Sequence, residues 1–502
     1  MISNFNKMKK FEFLCFYLFL LLISLPDLQS NNKPSGNDII QLNSRREIFV
    51  DHYLIDKLNG TGIVMQKPHD EGAVIYFDKP WEGPFTGYST IIKDDDIFRL
   101  YYRGLQVAGK DGNTAETTCY AESVDGINWV KPVLGLFEIE GSYDNNVILA
   151  DAAPVTHNFC PFIDTNPGAS PDQKYKALGG TRHSGLIAYS SPDGIRWEKI
   201  GEKPVLEHNP DLHGSNAFDS QNVAFWSESE QCYVLYFRSW KTPHGRLRTI
   251  SRATSVDFIN WKDESATFKS PNLPDEHFYT QQTSPYFRAP HIYVAIGGKF
   301  MPNRQVLTEE EALKLNVHSR YFGDVSDAFL MTTRGGNYYD RTFLESFIRP
   351  GIDLSNWISR TNFPALNILQ TGPYEMSVYL NQDYAQTTSH LRRYSMRIDG
   401  FTSINAPYSG GEVITKPFVF SGEELEINYS TSAAGEIIIE IQDINGHPVE
   451  GFTRDEAHVI TGNEIERTVT WNNDKNLAEL ACKPVRLRIF MKDADLYSLR
   501  FK

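Results

Sequence analysis

The sequence predicts an all-β fold, a five-bladed β-propeller followed by a small C-terminal β-sandwich, on three observations. First, a short phrase recurs: S-V-D-G-I-N-W at 123–129, S-P-D-G-I-R-W at 191–197 and S-V-D-F-I-N-W at 255–261, with a degraded copy, T-R-G-G-N-Y-Y, at 333–339. The copies start 68, 64 and 78 residues apart, and self-similarity at a near-fixed period marks a repeated supersecondary unit. Second, short alternating apolar segments fill the chain, and its 13% aromatic content suits pleated, half-buried strands. Third, strong helix signals are nearly absent.

In chain order, the first element is a leader. Lys7, Lys9 and Lys10 precede an unbroken apolar run of eleven residues from Phe13 to Ile23, and Ser30 follows as a small residue suited to cleavage. Such a run is short of the about 20 residues a bilayer span needs, and fits a signal peptide. The expectation is a leader over 1–30 and a periplasmic or secreted protein with no membrane insertion after cleavage. The whole chain carries a formal net charge of −14; the leader's three Lys against Glu12 and Asp27 give +1, leaving −15 on the remainder. That balance argues against nucleic acid or an anionic membrane as a partner. Beyond the leader only Cys119, Cys160, Cys232 and Cys482 remain, far apart and without CxxC spacing. They read as buried free thiols with room for one bridge. No HExxH-type cluster occurs, so neither a metal nor a cofactor is expected. No oligomeric state follows from these patterns.

The repeats come next. Phe98 to Arg103, Tyr233 to Arg238 and His291 to Ile296 each read as a strand. In each full copy an apolar strand, such as Thr118 to Ser123, runs through the turn and out to a Trp. Asp-Gly between strands makes a tight turn, since Gly tolerates positive φ and Asp bonds nearby backbone, and the Trp is an apolar anchor against the sheet. A period near 65 residues exceeds the about 40–45 of a WD40-type blade, and residues 80 to 400 leave room for five such units. The propeller is therefore placed over 31–404. Thr308 to Leu315 is the one clear helix, with Thr308 and Glu311 spaced as a capping box. From 405 to 502 the repeat stops. Thr415 to Phe420, Leu425 to Tyr429, Glu436 to Gln442, Glu466 to Trp471 and Val485 to Met491 alternate cleanly, which suits a small β-sandwich that caps the propeller.

Several phrases carry a family resemblance: I-F-V-D-H-Y-L-I at 48–55, H-N-F-C-P-F-I-D-T-N at 157–166, F-D-S-Q-N at 218–222, T-G-P-Y-E-M-S-V-Y at 371–379 and K-D-A-D-L-Y-S-L-R-F at 492–501. With these the chain resembles the five-bladed propeller glycoside hydrolases of families 32, 43, 62 and 68. It resembles more closely a group of exported bacterial proteins described as glycosyl-hydrolase-like. The resemblance implies a glycosidase acting on a plant or algal polysaccharide. W-M-N-D-P-N-G, R-D-P and E-C are absent, so the sucrose- and fructan-cleaving signature of family 32 is missing and no catalytic residue transfers by motif.

Candidates must therefore come from position and chemistry. Glycoside hydrolysis needs two carboxyl groups across the scissile bond, and a propeller projects such groups from its innermost strands into a funnel on the axis. The predicted catalytic acids are Asp164, ahead of the strand Tyr175 to Leu178, Asp219, ahead of Val223 to Trp226, and Glu375, within an apolar, hydroxyl-rich strand. Glu375 is expected to be the least solvated and hence the proton donor. His157, Asn158, Asn222, Arg238, Glu276, Arg288 and His291 are candidate sugar contacts, with arginine suited to an acidic group on the substrate. Trp81 is a candidate stacking platform, though core packing is the commoner outcome for a Trp. Asp125, Asp193 and Asp257 are expected to be structural turn residues. Two other functions compete. One is a non-catalytic glycan-binding propeller. The other is a sialidase, because S-x-D-G-x-x-W resembles the Asp-box, although it is one residue short and no arginine triad is evident in the sequence.

Overall fold

The computed structural model describes residues 39–240, 247–263, 274–472 and 475–502. The leader over 1–30 lies outside the described residues. No helix among the described residues is long and apolar enough to cross a membrane.

Two compact units emerge. The larger, residues 65–402, holds five antiparallel sheets in sequence order, each a propeller blade. Blade one comprises Gly87–Asp94, Ile97–Gly104, Thr117–Ser123 and Val147–Leu149. Blade two comprises Cys160–Ile163, Tyr175–Thr181, Gly185–Ser191 and Glu198–Lys199. Blade three comprises Val223–Ser227, Cys232–Ser239, Thr249–Ser255 and Lys262–Asp263. In blade four the inner edge is split between His277–Phe278 and Thr283–Tyr286, followed by Ala289–Met301 and Val325–Thr333. Blade five has Phe363–Pro364 and Leu369–Gln370 at its inner edge, then Glu375–Gln382 and His390–Arg397. Its outermost strand is His69–Tyr76, from the start of the unit, so the unit's two ends meet in one sheet.

The recurring phrase sits at the same place in blades one to three, just after the third strand. In blade two, Asp193 Oδ1 accepts from the backbone N–H of Ile195 and Arg196, both at 2.8 Å. Asp125 and Asp257 repeat the pattern with Ile127 and Asn128, and with Ile259 and Asn260. Gly194 has φ +75°, and a Cβ there would lie 2.6 Å from the Tyr101 hydroxyl of the preceding blade. Blade three substitutes Phe258 at φ 68° and packs its ring on Phe162 of blade two, 5.6 Å between centroids. These aspartates are structural, as their sequence pattern suggests. Asp193→Ala is expected to cost about 0.5–2 kcal/mol, the range for losing a backbone-capping side chain, with catalytic rates unchanged; urea unfolding and a rate assay on one preparation check both.

The predicted helix forms as Glu309–Lys314, with Thr308 as N-cap and Glu311 completing the capping box. Trp81 is core: its Nε1–H donates to Asn146 Oδ1 at 2.6 Å, and its ring packs among Tyr102, Cys119 and Val147. No disulfide joins the described cysteines; Cys119 and Cys160 are buried as expected, but Cys232 is only half-buried and Cys482 is exposed.

The smaller unit corrects the domain boundary. It joins residues 403–502 to the segment before residue 65, which the sequence reading gave to the propeller. Ile40–Asn43 pairs parallel with Phe418–Phe420, and Ile55–Asn59 pairs with Gly411–Thr415. Its two longest strands, Leu425–Gln442 and Arg486–Phe501, run antiparallel. Leu42, Phe420, Ile427, Ile439, Trp471, Leu487 and Phe501 form its core. A cut at residue 405 would therefore strip Ile40–Asn43 and Ile55–Asn59 of their partners.

Candidate active site

The five inner edges run the same way round the axis, so their N-terminal ends meet at one end of the propeller. At these ends stand Tyr88, early in Gly87–Asp94, His157, Asp219 and Arg360, just ahead of their strands, and Tyr279, between the two halves of blade four's edge; the ends of the second strands in blades one, three and five add Arg103, Arg238 and Asn381. Side chains close the axis beneath. Gln221 donates to Thr90 Oγ1 at 2.9 Å, while Gln282 donates to Gln221 Oε1 at 2.5 Å and to the Pro364 carbonyl at 2.9 Å. One wall of the resulting pocket comes from the loop before blade one's third strand (Leu105, Ala108, Gly109, Asp111), and another from Arg320 and Tyr321. Tyr321 is fixed by Phe85 and Tyr384, with ring centroids 5.6 and 5.4 Å away.

Asp219 is the centre of the polar network. The loop presenting it bends at Phe218, whose φ of 65° is uncommon outside glycine. The bend is held by the Phe218 carbonyl, which accepts from Asn158 Nδ2 at 2.6 Å and Asn222 Nδ2 at 3.1 Å. The Phe218 ring is buried against His213 and Phe237. Asn158 and Asn222 are thus scaffold for the loop rather than sugar contacts. Asp219 Oδ2 pairs with Arg238, and Oδ1 accepts from His157 Nε2 at 3.3 Å. Burial alone would raise the Asp219 pKa, but the Arg238 charge and the His157 hydrogen bond outweigh it and hold the carboxyl well below the usual range. At neutral pH it is ionised.

His157 lies between two carboxylates, with Nδ1 3.0 Å from buried Glu116. Burial lowers its pKa, yet the bonds to Asp219 and Glu116 outweigh that and raise it to about 9. The ring is therefore imidazolium at neutral pH. Tyr279 is perturbed the other way. Burial raises a phenol's pKa, but here the Arg360 and Arg238 guanidiniums more than offset it and lower the value. Arg360 Nε donates to the Tyr279 hydroxyl at 2.9 Å, and the Arg238 and Arg248 guanidiniums lie 4.7 and 4.9 Å from its ring.

A second carboxyl completes the site. Asp111, His157 and Asp219 each offer one ligand-type atom within 4.8 Å of the others, a grouping that sequence spacing does not reveal. The three could in principle hold a divalent ion. However, a proton already holds Nε2, Arg238 occupies Asp219, and Arg103 Nη1 sits 3.2 Å from Nδ1. A dication would be added to a group already crowded with cationic charge. A chelator, or added Mn²⁺, Ca²⁺ or Zn²⁺, is accordingly expected to leave the melting midpoint unchanged by scanning fluorimetry; a rise with any of these ions would contradict it.

The expected convergence of Asp164, Asp219 and Glu375 does not occur. Only Asp219 lies here, with His157 and Arg238 beside it. Asp164 follows the inner strand Cys160–Ile163 and so sits at the other end. It is fully buried against Lys176 at 2.6 Å and the Tyr233 hydroxyl at 2.7 Å. Glu375 opens the second strand of blade five, again at the other end, where it pairs with Arg393 at 2.8 Å. Its side chain is 37% exposed, so it is not the desolvated acid expected. Arg288 lies at the turn after the inner edge of blade four, 3.7 Å from Asp399, and His291 begins the next strand, both at the other end. Glu276 is at the near end but binds Arg341 and, at 3.5 Å, Lys299, outside the pocket. Sequence reasoning missed Arg103, Asp111, Glu116, Tyr279, Arg320 and Arg360. Tyr279 and Arg360 stand just ahead of inner edges, as His157 and Asp219 do, and that position was the available signal.

No protein-family model matches the chain, and no curated protein matches it. Solved structures with a related chain course include glycoside hydrolases and an N-acetylgalactosamine deacetylase. One named only as a glycoside hydrolase is 11% identical, covers 66% of this chain and 92% of its own, and has a TM-score of 0.45. A family 43 arabinoxylan arabinofuranohydrolase from Bacillus subtilis is 10% identical over 86% of this chain and 99% of its own, at 0.39. A fructofuranosidase from Schwanniomyces occidentalis is 11% identical over 87% and 98%, at 0.37. At these scores the likeness says nothing about this chain's chemistry.

Proposed function

We propose that the protein is an exported glycoside hydrolase acting on a plant or algal polysaccharide or its oligosaccharides, with its active site at the Asp219 end of the propeller. The observation that carries this reading is the pair formed by Asp219 and Asp111, oxygens within 4.8 Å of each other at the mouth of a pocket walled by tyrosines. Carboxyl groups brought this near suit a retaining enzyme, in which they stand about 5–5.5 Å apart, better than an inverting one at about 6.5–9.5 Å. Asp219, kept ionised by Arg238 and His157, is a poor base but a competent nucleophile toward the anomeric carbon. Asp111, nearer solvent, is the second carboxyl, protonating the leaving oxygen and then activating water. The aromatic walls would take the apolar faces of the sugar ring.

A second reading rests on Tyr279. Its lowered pKa and the Arg360 contact suit a phenolate nucleophile, the exception to the two-carboxylate rule found in sialidases. The arginines gathered here, invisible as a group in the sequence, favour it further. One experiment separates the two. The purified protein is screened on neutral and anionic polysaccharides for released reducing ends, and a slow fluorinated substrate then traps the glycosyl-enzyme for peptide mass mapping. Label on the Asp219 peptide supports the first reading, label on Tyr279 the second, and no released ends on any glycan contradicts both.

A further inference from the structure

We infer that the pocket binds a sugar carrying an anionic group, a carboxylate or a sulfate ester, seated on Arg360 and Arg103 with Arg320 at the rim. This rests on the site assignment above and names the substrate class for it. The first observation is a local reversal of charge. The chain as a whole is −14, yet Arg103, Arg320 and Arg360 line the pocket against Asp111, and behind the lining Arg238 and Arg248 pack on Tyr279 while Glu116 and Asp219 hold a protonated His157.

The second observation is how those charges are paired. Asp219 is taken by Arg238, and Glu116 by His157. Among the described residues Arg103 and Arg360 have no ion pair with any carboxylate. Arg103 is buried; its Nη1 lies 3.2 Å from His157 Nδ1, its Nη2 reaches the Phe85 carbonyl at 2.9 Å and the Tyr384 hydroxyl at 3.4 Å, and its Nε has no partner. Arg360 spends Nε on Tyr279, and its ring contacts are the faces of Tyr279 and Tyr321 at 5.7 and 4.9 Å. Its two terminal nitrogens make no hydrogen bond within the described residues. Nearby, Asn381 Nδ2 is also buried without an acceptor. A largely buried guanidinium with no carboxylate bonded to it directly is costly, and the unsatisfied atoms of this wall, Arg103 Nε and Asn381 Nδ2, are donors. Both facts ask for an oxyanion, and a planar fork such as Arg360's matches two of its oxygens. Leu105, Phe363, Tyr321 and Tyr384 supply the surface for the sugar body.

Binding is measured directly by calorimetry on the full protein at low salt, without reference to turnover. The probes are glucuronate, galacturonate and galactose 6-sulfate, with glucose, galactose and free sulfate as controls. At least one charged sugar is expected to bind about tenfold or more tighter than its neutral counterpart, with affinity falling as salt rises. Whether the uronates or the sulfated sugar do so identifies the anion. Arg360→Gln and the exposed Arg320→Gln should each weaken that binding while melting stays native-like. If Arg360→Gln fails to fold, Arg320→Gln alone carries the test. Equal binding of charged and neutral sugars, binding of free sulfate as tight as of the sugars, no binding by any probe, or unchanged affinity in the folded variants would overturn the inference. Charged sugars that bind with no glycan cleaved would leave it standing and remove the hydrolase reading; cleavage of neutral glycans only would do the reverse.

Discussion

Asp219→Asn lowers turnover by about 10²–10⁴, the usual cost of removing a catalytic acid–base or nucleophilic carboxyl, while Glu375→Gln turns over at the native rate. The contrast follows from which end of the blades each residue occupies. Asp219 stands beside the pocket, between Arg238 and the pocket-lining His157; Glu375 stands at the far end, half-exposed, on Arg393. Asp164→Asn supplies the control for stability without catalysis. It leaves buried Lys176 without its carboxylate, and breaking a buried pair from one side costs about 3–5 kcal/mol. Its rate, measured well below its lowered melting midpoint, should be native. Asp219→Asn loses a pair as well, so its rate is measured where circular dichroism shows it folded. A folded Asp219→Asn within threefold of native turnover would remove Asp219 from the chemistry.

His157 makes the protein lose about 3 kcal/mol of stability between pH 6 and 9.5. The imidazole has an ordinary value near 6.5 in the unfolded chain and about 9 in the fold, and each unit of difference is worth about 1.4 kcal/mol. Because the folded value is the raised one, the stabilisation is fully present below about pH 6.5 and is lost as pH rises through 9. It is the same interaction that depresses Asp219, and it is counted once. Proton NMR titration of the His157 ring in the native protein reads the midpoint directly, and urea unfolding at the two pH values reads the energy. A ring that titrates near 6.5 would mean that Glu116 and Asp219 do not both hold it.

Much of the propeller was legible because its signals are local. The Asp-to-backbone turns at Asp125, Asp193 and Asp257, the strands Ile97–Gly104 and Cys232–Ser239, and the Thr308 cap are each decided within a few residues. The site was only partly legible, because catalytic position depends on which strand of a blade is innermost. Tyr175 to Leu178 was read as the inner strand of blade two, which put Asp164 at its start. The inner strand is Cys160–Ile163, so Asp164 follows it and His157 precedes it. Glu375 fails for the same reason, since it opens a second strand. Asp219 does precede an innermost strand, Val223–Ser227, and so lies at the His157 end. The pairing of Ile40–Asn43 with Phe418–Phe420 spans most of the chain, and no local pattern in either segment announces the other. Glu116, buried behind His157, likewise owes its role to a contact 41 residues away.

The most direct test of the account is a crystal structure of Asp219→Asn soaked with an anionic oligosaccharide released from a polysaccharide the native protein cleaves. The account predicts sugar density at the N-terminal ends of the inner strands. A ring should lie against the pocket faces of Tyr321 and Tyr384, with its charged group on Arg360 and its anomeric carbon facing residue 219. Sugar bound instead at the opposite end, beside Glu375 and Arg393, would contradict it.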